Sequence, residues 1–85
     1  MAHVEMYLTT HCPYCVRARR LLDNKGVSYE VVDVGTDRAL WREMRQRSQR
    51  HTVPQVFIDE VAVGGFDDLV QLEREGRLDA LLGLE

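Results

Sequence analysis

The pattern of hydrophobic and polar residues changes its period early in the chain. Val4–Leu8 is a short run of residues that favour strands, and two threonines end it. From Pro13 onward the apolar residues recur with helical spacing, and proline suits a first turn, where an N–H would have no partner. Gly26 can end this helix in a left-handed conformation. Its apolar face holds Ala18, Leu21 and Leu22.

The middle of the chain predicts a second strand and a second helix. Residues 27–34 are rich in strand-forming types and partly alternate. Residues 35–37 break this strand and open a helix that runs to about Gln49. Leu40, Met44 and Trp41 are expected on the buried side of that helix.

A hairpin and a third helix follow. The hairpin consists of a strand at Gln55–Ile58, directly after Pro54, and a short strand at residues 61–63. Two glycines end it, and residues 67–68 begin a helix with Leu69, Val70 and Leu72 on its apolar side. After Gly76, the leucines of residues 78–82 predict a last short turn or helix.

The order β-α-β-α-β-β-α indicates the fold class. A strand–helix–strand opening implies a parallel pair with a right-handed crossover, and the closing hairpin adds antiparallel strands. We therefore predict an α/β fold with a four-stranded mixed sheet and helices on both faces. Eighty-five residues have room for one domain, 1–85.

Charge is distributed unevenly along the chain. The net charge is −3, but residues 1–50 hold nine Lys/Arg against six Asp/Glu, and residues 51–85 hold two against eight. Nucleic-acid binding is one interpretation of the basic half, and solvated outer faces of two helices are the other. We favour the second because the overall charge balance is acidic, and because Trp41 is the only aromatic residue within the arginine-rich residues 38–50.

The sequence also bounds the compartment. Its apolar runs are too short to span a membrane, and the N-terminus lacks the pattern of a signal peptide. The only two cysteines stand three positions apart, unlike those of a disulfide-stapled secreted domain. We expect a cytoplasmic monomer without nucleic-acid or membrane partners.

Cys12 and Cys15 enclose the motif Cys-Pro-Tyr-Cys where the first strand gives way to the first helix. Free N–H groups and the helix dipole stabilise a thiolate at a helix N-terminus, so Cys12 is the expected nucleophile, with Cys15 one turn further and more enclosed. Structural zinc is an alternative, but no second ligand pair accompanies the motif. Inert buried cysteines are another, although a CxxC that opens a helix in a βαβ unit is typical of redox chemistry.

With these motifs the chain resembles the glutaredoxin family, in particular its short bacterial dithiol members. The resemblance implies a thioredoxin-like fold and glutathione-dependent reduction of protein disulfides and protein–glutathione mixed disulfides. Cys12 would be the nucleophile, and Cys15 would resolve the mixed disulfide between enzyme and client protein. No metal or other cofactor would be needed beyond glutathione as co-substrate. Ribonucleotide reductase is a client typical of the family. The matching segments are residues 4–7, 12–15, 18, 21–22, 25–27, 47–48, 52–58, 63–65 and 67–69.

The resemblance also implies a glutathione groove. The backbone of Val53, before a cis Pro54, would hold the cysteinyl part, and residues 65–68 would hold the γ-glutamyl end. A helix N-terminus suits its carboxylate and an aspartate its ammonium, while Arg50 is the candidate for the glycine carboxylate. The predicted groove residues are Tyr14, Arg50, Thr52, Val53, Pro54, Gly65, Phe66, Asp67 and Asp68.

Each groove segment also has a purely structural explanation: a turn at residues 64–65, an N-cap at Asp67 and a strand entry at residues 52–54. Their combination beside the cysteine motif favours binding. Two positions depart from the family. Thr9 stands where a lysine is common three residues before the first cysteine, and His11 stands directly before Cys12 where a threonine is usual.

The sequence leaves two other functions open. One is a thioredoxin-like reductant supplied by a flavoprotein reductase. The other is an iron–sulfur carrier, against which the proline between the cysteines argues.

Overall fold

A computed structural model describes residues 2–84. The elements in chain order are β1 Val4–Leu8, α1 Pro13–Asn24, β2 Glu30–Asp33, α2 Arg38–Ser48, β3 Gln55–Ile58, β4 Val61–Gly64, α3 Phe66–Arg74 and α4 Leu78–Leu81. The sheet order is β2-β1-β3-β4, with β1 and β2 parallel and the other pairs antiparallel. The predicted mixed four-stranded sheet is confirmed.

Alternation along the central strands sends side chains into two cores, one on each face of the sheet. Met6 of β1 and Val56 of β3 join α1, α3 and α4 in the larger core. Tyr7 and Phe57 point to the other face, where Met44 of α2 completes a smaller core. The helices therefore cover both faces, as predicted.

The second strand is shorter than predicted, because β2 begins at Glu30 rather than at residue 27. Val27 donates its N–H to the Leu22 carbonyl at the end of α1 and lies buried in the larger core. The Tyr29 hydroxyl donates to Asp23. The segment before β2 is thus tied to α1 and cannot pair with β1.

Two helix starts follow from local chemistry. Asp37 caps α2, its carboxylate accepting from the N–H groups of Ala39 and Leu40 at 2.9 and 3.2 Å. The third helix starts at Phe66, slightly earlier than predicted, with Gly65 as its N-cap. The last four-residue helix, α4, occupies the segment that the sequence left as a turn or helix.

Arg47 of α2 joins that helix to the sheet through a group we call the Arg47 cluster, formed by Arg47, Glu5, Tyr7 and Glu60. Its guanidinium donates to both carboxylate oxygens of Glu5, at 3.2 and 3.0 Å, and to the Tyr7 hydroxyl at 2.7 Å. It also donates to Glu60 at 3.3 Å and lies 4.0 Å from the centre of the Phe57 ring. The cluster fixes the register of α2 on β1 and β3.

Candidate active site

Cys12 is the N-cap of α1, directly after the turn that follows β1. Its sulfur accepts the backbone N–H of Cys15 at 3.2 Å, and its thiol donates to the Val53 carbonyl oxygen at 3.7 Å. The sulfur therefore lies between the positive end of a helix and the loop before β3. This placement stabilises negative charge on the sulfur.

Cys15 lies one turn along α1 and is only 2% exposed. Burial, a hydrogen bond with Cys12 and the charge of Cys12 raise the pKa of the Cys15 thiol to about 12. Cys15 is thus a protonated thiol at neutral pH, close to the more accessible sulfur of Cys12. The pair has the unequal environments that thiol–disulfide exchange requires.

A cavity of about 350 Å³ opens beside the cysteines. Its position is marked by Val53, whose carbonyl faces the Cys12 sulfur. Tyr14 and Phe66 form an aromatic pair on its wall, with ring centres 6.4 Å apart. The structure brings all nine predicted groove residues to this cavity: Tyr14, Arg50, Thr52, Val53, Pro54, Gly65, Phe66, Asp67 and Asp68.

Gln55 holds the loop of residues 52–54, whose Val53 carbonyl faces Cys12. The Val53–Pro54 bond is cis, as predicted. Gln55 is 1% exposed, and its amide donates to the Thr52 carbonyl at 3.0 Å and to the Thr52 hydroxyl at 3.2 Å. Its Oε1 has no hydrogen-bond partner within residues 2–84. Gln55 is thus a buried polar residue whose bonds all serve this loop.

The start of α3 forms the opposite wall. The Asp68 carboxylate accepts the Gly65 N–H at 2.8 Å, and Arg50 donates to the same oxygen at 2.7 Å. We call Arg50 and Asp68 the rim pair. Partial burial raises the pKa of Asp68, but the bonds from Arg50 and Gly65 outweigh this and hold it below its usual value.

Glycine at position 64 is required by the same wall. Its φ is +110°, and a Cβ there would collide with the Asp68 carboxylate. At Gly65 a Cβ would lie 3.2 Å from the Pro54 carbonyl oxygen. The two glycines therefore let α3 start close to the loop that carries Pro54.

Asp67 is exposed and does not cap the helix, so the alternative of an N-cap at Asp67 is wrong. Within residues 2–84, no hydrogen bond or ion pair to its side chain is found. Its carboxylate stands at the cavity and is available to a ligand.

Other residues considered from the sequence lie outside the cavity. Thr9 lines a separate depression with Trp41 and the loop before α2. His3 approaches Glu5 and Glu30 before β1, the one such group of metal-ligand types in the described residues. The Glu5 carboxylate is already paired with the Arg47 guanidinium, so this group lacks the net negative charge that favours a metal cation. The prediction that no metal is needed stays a prediction.

The glutaredoxin family model matches residues 4–63. The chain belongs to the glutaredoxin family. The predicted thiol–disulfide oxidoreductase activity, the redox-active cysteine pair and the thioredoxin-like fold are thereby confirmed. Among residues 2–84, no helix has the length and apolar character to cross a membrane.

Several relatives resemble this glutaredoxin over most of its length. Glutaredoxin 3 of Escherichia coli (strain K12) is 50% identical over 82 residues, which cover 96% of this chain and 99% of that protein. The solution structure of glutaredoxin from Brucella melitensis is 48% identical, with a TM-score of 0.87, covering 99% of this chain and 91% of that one. The crystal structure of a buckwheat glutaredoxin–glutathione complex has a TM-score of 0.89 at 28% identity, covering 96% and 77% of the two chains.

Sequence reasoning missed two features of the site. Gln55 lies in the predicted strand, but its bonds to the loop before that strand were not predicted. The signal for them was one polar residue within the otherwise apolar run of residues 53–58. The rim pair was also missed, because its members are 18 positions apart and were assigned to different parts of a ligand.

Proposed function

We propose that this glutaredoxin uses glutathione to reduce protein disulfides and protein–glutathione mixed disulfides, with Cys12 as the nucleophile and Cys15 as the resolving thiol. The observation that carries the proposal is the place of the Cys12 sulfur. It is at the N-terminus of α1, 3.7 Å from the Val53 carbonyl at the edge of the cavity. A disulfide bound in that cavity has one sulfur within reach of Cys12.

The cavity suits an extended tripeptide with charged ends. Its volume is within the range of small-ligand sites. The Val53 backbone can pair with the cysteinyl residue, and the first N–H groups of α3 can bind the γ-glutamyl carboxylate. Asp67 then faces the ammonium, and Arg50 the glycine carboxylate.

With a mixed disulfide, the Cys12 thiolate attacks the glutathionyl sulfur, and the client leaves as a thiolate that takes a proton from water. Cys12 is then joined to glutathione. A second glutathione thiolate attacks that disulfide, which releases oxidised glutathione and restores the Cys12 thiolate. This route joins the glutathionyl group of the client to one free glutathione, and it needs only one enzyme cysteine.

With a protein disulfide, the Cys12 thiolate attacks one client sulfur, the client's S–S bond breaks, and the other client sulfur leaves as a thiolate. Cys15 gives its proton to a client thiolate and attacks the Cys12 sulfur, which expels the reduced client and forms the internal disulfide. Two glutathione molecules then reduce that disulfide in turn. Glutathione is a co-substrate in both routes, and a reducing compartment such as the cytoplasm supplies it.

The test is a glutathione-coupled assay on a small glutathionylated disulfide and on a protein disulfide. We expect Cys12→Ser to abolish both reactions. Cys15→Ser should keep the first and lose most of the second. If Cys15→Ser loses both, or if thioredoxin reductase but not glutathione supports turnover, the proposal is wrong.

Asp67→Ala tests the groove. It should raise KM for the small glutathionylated disulfide about threefold or more, because an ion pair with the ammonium is lost, and leave kcat unchanged. Asp79→Ala, which removes a carboxylate from the last helix, is the control for charge. A changed melting temperature with unchanged KM would contradict the groove assignment.

A further inference from the structure

Three arginines form a stripe along the outer side of α2. Arg38, Arg42 and Arg45 are spaced at i, i+4 and i+7, so they share one face of the helix, and all three are exposed. The other two arginines of this region are engaged, Arg47 in its cluster and Arg50 in the rim pair. We call the three outer residues the Arg stripe.

No carboxylate within residues 2–84 forms an ion pair with the Arg stripe. Glu43 is the only acidic residue of α2, and its carboxylate accepts a hydrogen bond from the Tyr7 hydroxyl. The stripe is therefore a patch of positive charge without ion-pair partners in the described residues, on a protein whose net charge is −3.

The stability of α2 does not explain the stripe. Arg45 in the last turn is favourable to the helix dipole, but Arg38 is the first residue of the helix, where a cation is unfavourable. An arginine at that end costs helix stability, so the stability of α2 does not account for its charge.

Each end of the stripe shares a surface depression with a residue near the active site. Arg38 shares a depression of about 430 Å³ with Thr9, three residues before Cys12. Arg45 shares a small polar depression with Arg50, and Arg50 lines the main cavity. One end of the stripe thus lies next to a residue of the main cavity, and the other lies next to the segment that leads to Cys12.

We propose that the Arg stripe docks an acidic segment of a client protein while the client's disulfide is at Cys12. The inference rests on the proposed function and adds to it a preference for clients with Asp and Glu near the reacting cysteine. Protein is favoured over nucleic acid, because the chain acts on disulfides. Trp41, the one aromatic residue between arginines of the stripe, is partly buried against the smaller core and does not offer a free face for stacking bases.

The test compares the wild type with the triple variant Arg38→Gln, Arg42→Gln, Arg45→Gln. The substrates are two glutathionylated peptides of equal length, one with four Glu around the cysteine and one with four Gln. At low ionic strength the wild type should prefer the acidic peptide about tenfold in kcat/KM. The triple variant should lose this preference and turn over the neutral peptide as the wild type does. Added salt of about 0.5 M should abolish the preference.

Arg20→Gln with Arg74→Gln is the control, since both arginines are exposed and lie on other helices. This variant should keep the preference. Equal rates for the two peptides in the wild type, or a preference that survives the triple substitution, would overturn the proposal. So would competition by single-stranded DNA that the triple substitution removes, because the stripe would then be a nucleic-acid surface.

A cysteine-free acidic peptide separates this proposal from the proposed function. Its Kd, measured by fluorescence anisotropy, should rise about tenfold in the triple variant whether or not the protein turns over glutathione. An unchanged Kd would overturn the docking proposal alone, and absence of turnover on the neutral peptide would overturn the proposed function alone.

Discussion

Arg47 and Arg50 are three residues apart at the end of α2, yet they occupy different environments. The Arg47 side chain is 24% exposed, donates to Glu5, Tyr7 and Glu60 and packs on the Phe57 ring. The Arg50 side chain is 50% exposed and has one carboxylate partner, Asp68. The first arrangement joins a helix to a sheet. The second closes across a cavity and contributes little to stability, because exposed ion pairs are weak.

The difference shows how one short segment separates a structural role from a binding role. An arginine with several enclosed partners cannot leave them without exposing unpaired groups. An arginine with one half-exposed partner can exchange it for the carboxylate of a ligand. Substitutions of Arg47 should therefore change mainly stability, and substitutions of Arg50 should change mainly binding.

Arg47→Met should have the largest effect on stability. It leaves the Glu5 carboxylate, 13% exposed, without its cation, and we expect the free energy of unfolding to fall by about 3 kcal/mol in urea titrations. KM for a small glutathionylated disulfide should not change. Adding Glu5→Gln should restore part of the loss, and a further loss instead would show that Glu5 does not depend on Arg47.

The stability provided by the pair of Glu5 and Arg47 should depend on pH in the acid range. The hydrogen bonds from Arg47 hold the pKa of Glu5 below 4.5, although partial burial opposes them. A lowered pKa in the folded state gives stability that is present above about pH 4.5 and is lost as pH falls through the folded value. The wild type should therefore lose more unfolding free energy than Glu5→Gln between pH 6 and 3. Parallel curves would contradict this.

Gln55→Met should affect binding although the residue is buried. Thr52 loses two hydrogen bonds, so the loop is held less firmly, and we expect KM for the small disulfide to rise about fivefold with kcat nearly unchanged. Stability should change by at most about 1 kcal/mol, because the unpaired Oε1 is removed as well. Phe57→Leu on the same strand face is the control, since it should lower stability and leave KM as it is.

Arg50→Ala should have the smallest effect on stability, below about 1 kcal/mol. KM should rise about threefold, because the proposed partner of the glycine carboxylate is lost, and Arg50→Lys should fall between the two proteins. A large loss of stability in Arg50→Ala would mean that the rim pair is structural, like the Arg47 cluster.

Much of the fold and the cavity follows from local signals. Pro13 and Gly26 bound α1 as predicted, and the nine groove residues come from three short segments, at the start of α1, before β3 and at the start of α3. Pairings over a long separation do not follow from such signals. Glu5 and Arg47 are 42 positions apart, and which side of α2 meets β1 is decided only when the sheet is assembled.

The predicted start of β2 was wrong for a related reason. Residues 27–29 have the composition of a strand, but Val27 is buried beneath the end of α1, and Tyr29 reaches Asp23. Tertiary contacts overrode local propensity there.

The contact between the two cysteines has a consequence for the order of events in time. Burial is the main cause of the high pKa of Cys15, but a hydrogen bond with Cys12 and the charge of Cys12 add to it. When the Cys12 sulfur enters a disulfide, it loses that charge, and the second thiol becomes easier to ionise. In the proposed mechanism this change comes at the stage when Cys15 has to attack, so the capture of a client favours the ionisation that releases it.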